Sequence, residues 1–333
     1  MKRLLIVILI ASGIWAGYWT IGSQGVKSGF AQWFEARRAE GWAAEYSALS
    51  VKGFASRFDT TLTDVALADP RTGWAWEASF FQVLALSYKP HHVIAVWPNE
   101  QLLATPNQKF DILSSKMQAS LVVDPALSLA LDRVNLQADA LRIAPRGGDA
   151  TQMSSLQFAL RRLPGDAHQY QVALSADEFA PSKALRSLIA ESLDLPQTLS
   201  SLKADVTLAF DAPWDRFALE QERPQPTELT LNLIDASWGE LQLAAAGQLK
   251  IDANGLANGT ITIKARNWRD ILKLAVTLGA LPEGLAQQVE NGLTMLAGAS
   301  GNSETLDLPL ELREGRVFFG PFPIAHAPVF QLR

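Results

Sequence analysis

Cysteine is absent from all 333 residues. Disulfides, thiolate metal sites and cysteine nucleophiles are excluded together, and an oxidising compartment poses no pairing problem. The chain also has no G-x-S-x-G, no H-E-x-x-H, no G-x-x-x-x-G-K-[ST] and no dinucleotide fingerprint. A nucleophile elbow, a zinc protease helix and a phosphate-cradling loop therefore have no sequence support. One further absence is local: no charged residue occurs between Leu4 and Ile21.

That uncharged run, directly behind Lys2 and Arg3, reaches roughly 27 Å as a helix, about the thickness of a bilayer's hydrocarbon core. Its nine Leu, Ile and Val residues sum to roughly −4 kcal/mol on an insertion scale. The basic pair on the short side predicts a cytoplasmic N-terminus, with everything from about Gly22 onward exported. Ala11, Ser12 and Gly13 offer a cleavage site, but cutting there would leave Trp15, Tyr18 and Trp19 on a new N-terminus. Those aromatics suit the interfacial belt of a retained anchor better. Gly13 and Gly17 form a G-x-x-x-G, read here as ordinary membrane-helix glycine rather than as a dimer face.

Beyond the anchor the balance is 27 basic residues against 34 acidic ones, a formal charge of −7. This argues against a nucleic-acid partner. With 48% hydrophobic and 19% charged residues, the chain can bury a core and is not disordered. Ser28 to Trp42 places Phe30, Trp33, Phe34 and Trp42 on one side and reads as an amphipathic helix continuing from the span. Its face either lies on the membrane surface or, the reading favoured by the few cations beside it, caps the folded part.

The period then changes from helical to two. Val206, Leu208 and Phe210 alternate with polar or small neighbours, as do Leu229, Leu231 and Leu233, so both segments read as half-buried strands. The rhythm recurs at Leu127, Leu129 and Leu131, at Leu241 and Leu243, at Leu249 and Ile251, at Ile261 and Ile263, and at Leu308, Leu310 and Leu312. Asp252-Ala253-Asn254-Gly255 has hairpin turn chemistry, which predicts antiparallel neighbours. Three helices interrupt the strands: Ser182 to Asp194; a stretch carrying Trp268, Ile271, Leu272, Ala275 and Val276; and one carrying Leu285, Val289, Leu293 and Leu296. The last two predict a helical hairpin. The division expected is 1–22 as a transmembrane signal anchor, 23–45 as a juxtamembrane amphipathic helix and 46–333 as a single β-rich domain.

Side chains able to do chemistry are dispersed. His91 and His92 are adjacent, and neighbours on a strand point to opposite faces, so the pair cannot chelate one metal in a regular strand. A surface turn-to-strand entry is a plainer reading than a metal role shared with His326. Asp64, Asp69, Glu77, Asp205 and Glu311 show no fixed spacing that would make a catalytic pair. The ten tryptophans read as core or membrane-interface residues rather than as a sugar platform. No catalytic residue, cofactor site or metal site is expected.

Several segments resemble one family. Val51-Lys52-Gly53-Phe54-Ala55-Ser56-Arg57-Phe58-Asp59 is similar to the G-F-P-x-R-F segment of the bacterial envelope family named domain of unknown function 2125, with Ala55 where proline is usual. Tyr88-Lys89-Pro90-His91-His92-Val93 resembles that family's Y-x-P-x-H-V segment. Ala246-Gly247-Gln248-Leu249 through Gly259 resembles its strand, turn and strand, and Glu314-Gly315-Arg316 through Pro323 resembles the close of the wider AsmA-like group. The resemblance covers about residues 30–330, and its motifs specify turns rather than an active site.

It implies an α+β, β-dominated fold: an elongated, curved, largely antiparallel sheet forming an AsmA-like groove, with a transmembrane helix and a few amphipathic helices. It further implies an inner-membrane-anchored, periplasmic, non-catalytic protein whose groove handles phospholipid or another acyl-chain ligand, as in AsmA and TamB relatives, with envelope proteins as further partners. Val206, Leu208, Phe210, Leu229, Leu231 and Leu233 are the candidate apolar groove lining. A ligand-free envelope scaffold is the alternative and a periplasmic enzyme the remote one.

Overall fold

The computed structural model describes residues 2–166, 168–190, 192–220, 222–279, 281–299 and 304–332. The chain is β-dominated and its strand pairs are antiparallel, with an apolar helix at the N-terminus. It divides into two compact units, one made of residues up to Pro125 with Val134–Gly148, the other of Ala126–Arg133 with Asp149 onward.

In the first unit, α1 (Lys2–Ala39) is one unbroken helix, long and apolar enough to cross a membrane. The predicted span and juxtamembrane helix are thus parts of one element. The strands that follow are β1 (Ala43–Glu45), β2 (Ala48–Lys52), β3 (Arg57–Asp69), β4 (Trp74–Leu86), β5 (Lys89–Trp97), β6 (Glu100–Ala104), β7 (Lys109–Leu113), β8 (Lys116–Val123) and β9 (Leu131–Pro145). β1 and β2 lie end to end along β3, and β5 and β6 end to end along β4, with β8 pairing β5 and β7 pairing β6.

Alternation in β3 breaks at Asp64, whose φ of 49° is left-handed, a conformation that a short polar side chain tolerates. Its carboxylate accepts a hydrogen bond from Ser47 Oγ at 2.8 Å. Because of this break Phe58, Leu62 and Val65 are all buried, although strict alternation would separate the last from the first two. Phe34, Ala44, Leu62 and Val65 form the core, with Phe30, Trp42 and Tyr46 packed against it, so the amphipathic face of α1 caps this sheet. At the β3–β4 turn Asp69 is buried. The backbone N–H, guanidinium and charge of Arg71, with Thr72, outweigh burial and hold its carboxyl below the usual range.

The second unit contains β10 (Thr151–Arg162), β11 (Gln169–Asp177), α2 (Lys183–Ala190), β12 (Ser201–Phe210), α3 (Arg216–Glu220), β13 (Pro226–Trp238), β14 (Leu241–Ile251), β15 (Ala257–Arg266), α4 (Trp268–Thr277), α5 (Glu283–Ala299), β16 (Thr305–Arg313), β17 (Arg316–Phe319) and β18 (Phe322–His326). Each strand from β10 to β18 pairs with the next. The predicted Asn-Gly turn closes β14 onto β15. Gly255 has φ 78° and the Asp252 carboxylate accepts from the backbone N–H groups of Asn254 and Leu256.

The registers sort the side chains into two faces. One face carries Leu208, Leu229, Leu249, Ile261 and Leu310, and the other Gln171, Asp205, Thr230, Gln248 and Thr260. On the polar side Gln171 donates to Asp205 at 2.8–2.9 Å, and Asn232 bridges Asp205 and Thr207. The apolar face is covered at one end by α4 and α5, where Trp268, Ala297, Ala265 and Leu306 are buried together. At the other end Ala327 and Phe330 pack on Leu249, Ile251, Ala257 and Leu312.

Two sequence expectations change here. Leu127 and Leu129 belong to no strand: they follow Pro125 in a loop, Leu129 has φ 52°, and β9 begins only at Leu131. The predicted helix over 182–194 is shorter, Lys183–Ala190, with Glu191 outside the described residues. The helical hairpin of α4 and α5 stands as predicted; the Leu285 side chain lies outside what is described.

Leu249 is 1% exposed at the centre of its cluster, whereas Lys250 points to the opposite, open face. Leu249→Ala is expected to cost about 2–5 kcal/mol and Lys250→Ala less than about 0.5 kcal/mol. Thermal unfolding of the two variants checks this, and equal losses would show that the faces are assigned wrongly.

Candidate functional site

The site begins where α1 leaves its apolar run. Trp15, Tyr18 and Trp19 stand at i, i+3 and i+4, on one side of the helix. Trp15 Nε1 donates to the Ala55 carbonyl at 2.9 Å, Tyr18 OH to the Ser87 carbonyl at 2.6 Å, and Trp19 Nε1 to the Arg57 carbonyl at 2.8 Å. The Ala55 and Ser87 acceptors lie on two loops, Gly53–Ser56 between β2 and β3 and Ser87–Tyr88 between β4 and β5, and Arg57 is the first residue of β3. The loops are tied to each other by the Ser87 N–H and hydroxyl, which donate to the Ser56 and Ala55 carbonyls. Trp19 adds an edge-on contact with Phe54 at 5.4 Å and a stacked one with Phe58 at 6.1 Å.

Two glycines make this docking sterically feasible. Gly53 has φ 103°, and a Cβ there would lie 2.9 Å from the Arg57 carbonyl oxygen. Gly22 sits against the Phe58 ring, where a Cβ would come within 2.6 Å of Cζ. The Asp59 carboxylate hydrogen-bonds the Arg57 guanidinium and holds it above its usual value.

Beyond Gly22 the same side of α1 faces the sheet across an apolar cavity of about 830 Å³. Val26, Gly29, Phe30 and Trp33 line it from the helix. Phe58, Leu62 and Val65 come from β3, Trp76, Phe81 and Val83 from β4, and Pro90, Val93 and Trp97 from β5. No charged side chain is among the lining residues, and Thr60 supplies the one hydroxyl. A cavity of this size falls within the roughly 300–1,000 Å³ typical of small-molecule sites. Its lining lacks the convergent polar groups by which such sites orient a polar ligand.

A second cleft of similar volume in the same unit is polar and open, lined by Asp64, Glu77, Glu100, Asp111, Arg142 and Arg146. It brings together two of the carboxylates singled out in the sequence, Asp64 and Glu77. Asp111 is neutralised by Arg146 at 3.3 Å. No group of three or more His, Cys, Asp or Glu positioned to hold a metal occurs among the described residues. His92 Nε2 lies 3.1 Å from Ser120 Oγ.

The residues expected from sequence as groove lining belong to the second unit, and none of them lines this cavity. Val206 pairs with Leu231 and Leu208 with Leu229, all half-buried. Phe210 packs edge-on against Tyr170 and Trp214. Leu233 departs from the pattern: a register shift at Asp205/Val206 puts it opposite Asp205, and it is 45% exposed. Ile234, opposite Ala204, takes its place on the apolar face. Between the two covered ends of this face Val206, Leu231, Ala245 and Ile263 remain half-buried, so the helices do not close it.

A helix long and apolar enough to cross a membrane, bonded through its aromatic side chains to an antiparallel sheet, defines a class of architecture more than a chemistry. The chain belongs to the family of domain of unknown function 2125, described as an uncharacterised protein conserved in bacteria, whose model matches residues 19–328. No curated protein and no solved structure matches the chain. Two of the segments that carry the resemblance, 51–59 and 88–93, contain the Ala55 and Arg57 acceptors of α1 and the β5 residues Pro90 and Val93 that line the cavity opposite it.

Tyr18→Phe should isolate one contact of the dock, because it leaves the carbonyl of fully buried Ser87 without that donor at a cost of about 1–3 kcal/mol. Thr20→Val, which removes only a hydroxyl bonded back to Ala16, should be nearly neutral. Unfolding of the detergent-solubilised full chain compares the two. If both are neutral, the Tyr18 contact does not hold α1 on the loops.

Proposed function

We propose that the protein is a single-pass, membrane-anchored acyl-chain-binding protein of the bacterial envelope that handles lipid without catalysing a reaction. The observation that carries this is the uncharged cavity of about 830 Å³ between the juxtamembrane part of α1 and the sheet. Each methylene moved from water into such a space contributes roughly 0.8 kcal/mol. A ligand that presents methylenes and little else is the one this lining suits. The half-buried apolar strip around Val206 and Leu231 supports the same chemistry in the second unit.

For location, Lys2 and Arg3 ahead of the span support a cytoplasmic N-terminus and an exported folded part, and the absence of cysteine suits a periplasm. The wider AsmA-like grouping is part of this proposal. A reporter that works only outside the cytoplasm, fused after Arg333, should be active and should fractionate with membranes. Activity confined to the cytoplasm sinks the topology, and release into the soluble fraction sinks the anchor.

The lipid reading is tested by native mass spectrometry of the full chain extracted from its own membranes in mild detergent, with acyl-bearing adducts expected. Gly29→Phe supplies the contrast. A Cβ at Gly29 meets nothing within 4 Å, so the ring can enter the cavity while the helix loses a glycine that disfavours it by about 1 kcal/mol relative to alanine. The variant should keep or gain thermal stability and lose most of its adducts. A wild-type chain without acyl adducts leaves the ligand-free scaffold reading in its place.

A further inference from the structure

We propose that the paired loops Gly53–Ser56 and Ser87–Tyr88 form a membrane-docking rim, with Phe54 and Tyr88 seated in the headgroup–acyl boundary of the leaflet from which α1 emerges. This rests on the reading of α1 as a span and adds to it a second, non-helical contact with the bilayer.

Register along α1 carries the argument. The apolar run ends at Ile21, yet the three docking donors are Trp15, Tyr18 and Trp19, inside it. At 1.5 Å per residue Trp15 lies about 9 Å below Ile21. The Ala55 carbonyl, bonded to Trp15, is therefore held at the depth of the run's upper third, and the Ser87 and Arg57 carbonyls only slightly higher. If the run occupies the hydrocarbon, these loops cannot stand clear of the headgroups.

The loop chemistry fits that depth. Phe54 is 63% exposed and Tyr88 57% exposed, two large aromatic rings at the tips. Aromatic rings of this kind gather at the membrane–water boundary. Lys52 and Lys89, both exposed, flank them and can extend their ammonium groups to lipid phosphates while their stems lie along apolar surface. Unpaired backbone carbonyls are costly at this depth, and here those of Ala55, Arg57 and Ser87 are capped by indole and phenol donors. The cavity wall next to the loops is made by Phe58, Ala85 and Pro90, so the rim would place that end of the cavity against the leaflet.

The cysteine-free sequence makes the test direct. Phe54→Cys, Tyr88→Cys and, as reference, Arg71→Cys are each labelled with an environment-sensitive nitrobenzoxadiazole dye and reconstituted as full chains into phosphatidylcholine–phosphatidylglycerol vesicles. Arg71 lies at the far end of the 13-residue β3, about 40 Å along the strand. Nitroxide lipids spin-labelled high on the acyl chain should quench most of the emission at 54 and 88 and leave 71 bright. Thermal unfolding confirms that each labelled chain is folded, and Tyr88→Cys decides alone if Phe54→Cys is not, because Phe54 touches Trp19. Equal, weak quenching at all three positions, with the chain still held in vesicles through an alkaline carbonate wash, overturns the rim and leaves the anchor standing. Loss of the chain in that wash overturns both. Acyl adducts counted on the same samples report separately on the cavity, whichever way the quenching falls.

Discussion

The first unit depends on α1 meeting both the loops and the sheet with one stripe of side chains. Trp15, Tyr18 or Trp19, Gly22, Val26, Gly29 or Phe30, and Trp33 recur every three or four residues, the spacing that keeps a single side of a helix facing a partner. The lower part of this stripe donates hydrogen bonds to the loops and the upper part packs toward β3, β4 and β5. Because the element is unbroken, the position of its apolar run and the seating of the sheet are one variable. A shift of one residue would rotate the donors by about 100° away from their carbonyls.

The two glycines in the stripe act in opposite senses. Gly22 allows contact: any side chain there would collide with Phe58. Gly29, seven residues later, stands beside open space that an added Cβ would not fill. Contact at one end and space further along follow from which glycine faces a ring and which faces a gap. That space belongs to the cavity lined by Val26, Phe30 and Trp33.

Much of the second unit could be read in the sequence because its strands keep period two and its turns carry their usual residues. The Leu249–Ile251 strand, the Asn254-Gly255 turn and the α4–α5 hairpin need only local rules. Leu233 leaves the face that alternation predicts for it because a bulge shifts the register by one, and nothing in Leu-Asn-Leu-Ile announces it. Leu127 and Leu129 imitate a strand by spacing alone; Pro125 ahead of them is the signal against it. The cavity lay hidden for the same kind of reason. Asp64 resets the face in the middle of β3, so Leu62 and Val65 share a core that a count by twos divides. The stripe on α1 is legible in the sequence as an interfacial belt and an amphipathic helix, and one 3.6-residue period runs through both.

An apolar cavity beside a bilayer differs energetically from one in solution. For an acyl chain already in the membrane, entry exchanges one hydrocarbon surrounding for another, so the roughly 0.8 kcal/mol per methylene that favours burial from water largely cancels. What remains is the difference in packing against Phe30, Trp33, Phe81 and Trp97, set against the lost freedom of the chain. Both terms are small beside the cost of passing through water. In the proposed reading, occupancy would thus be reversible and governed by access from the leaflet, and strong binding would be a hindrance. A lining rich in aromatic rings, with one hydroxyl and no charge, suits a site where chains are held loosely and exchanged; a charged or strongly hydrogen-bonding wall would fix a headgroup and slow its release.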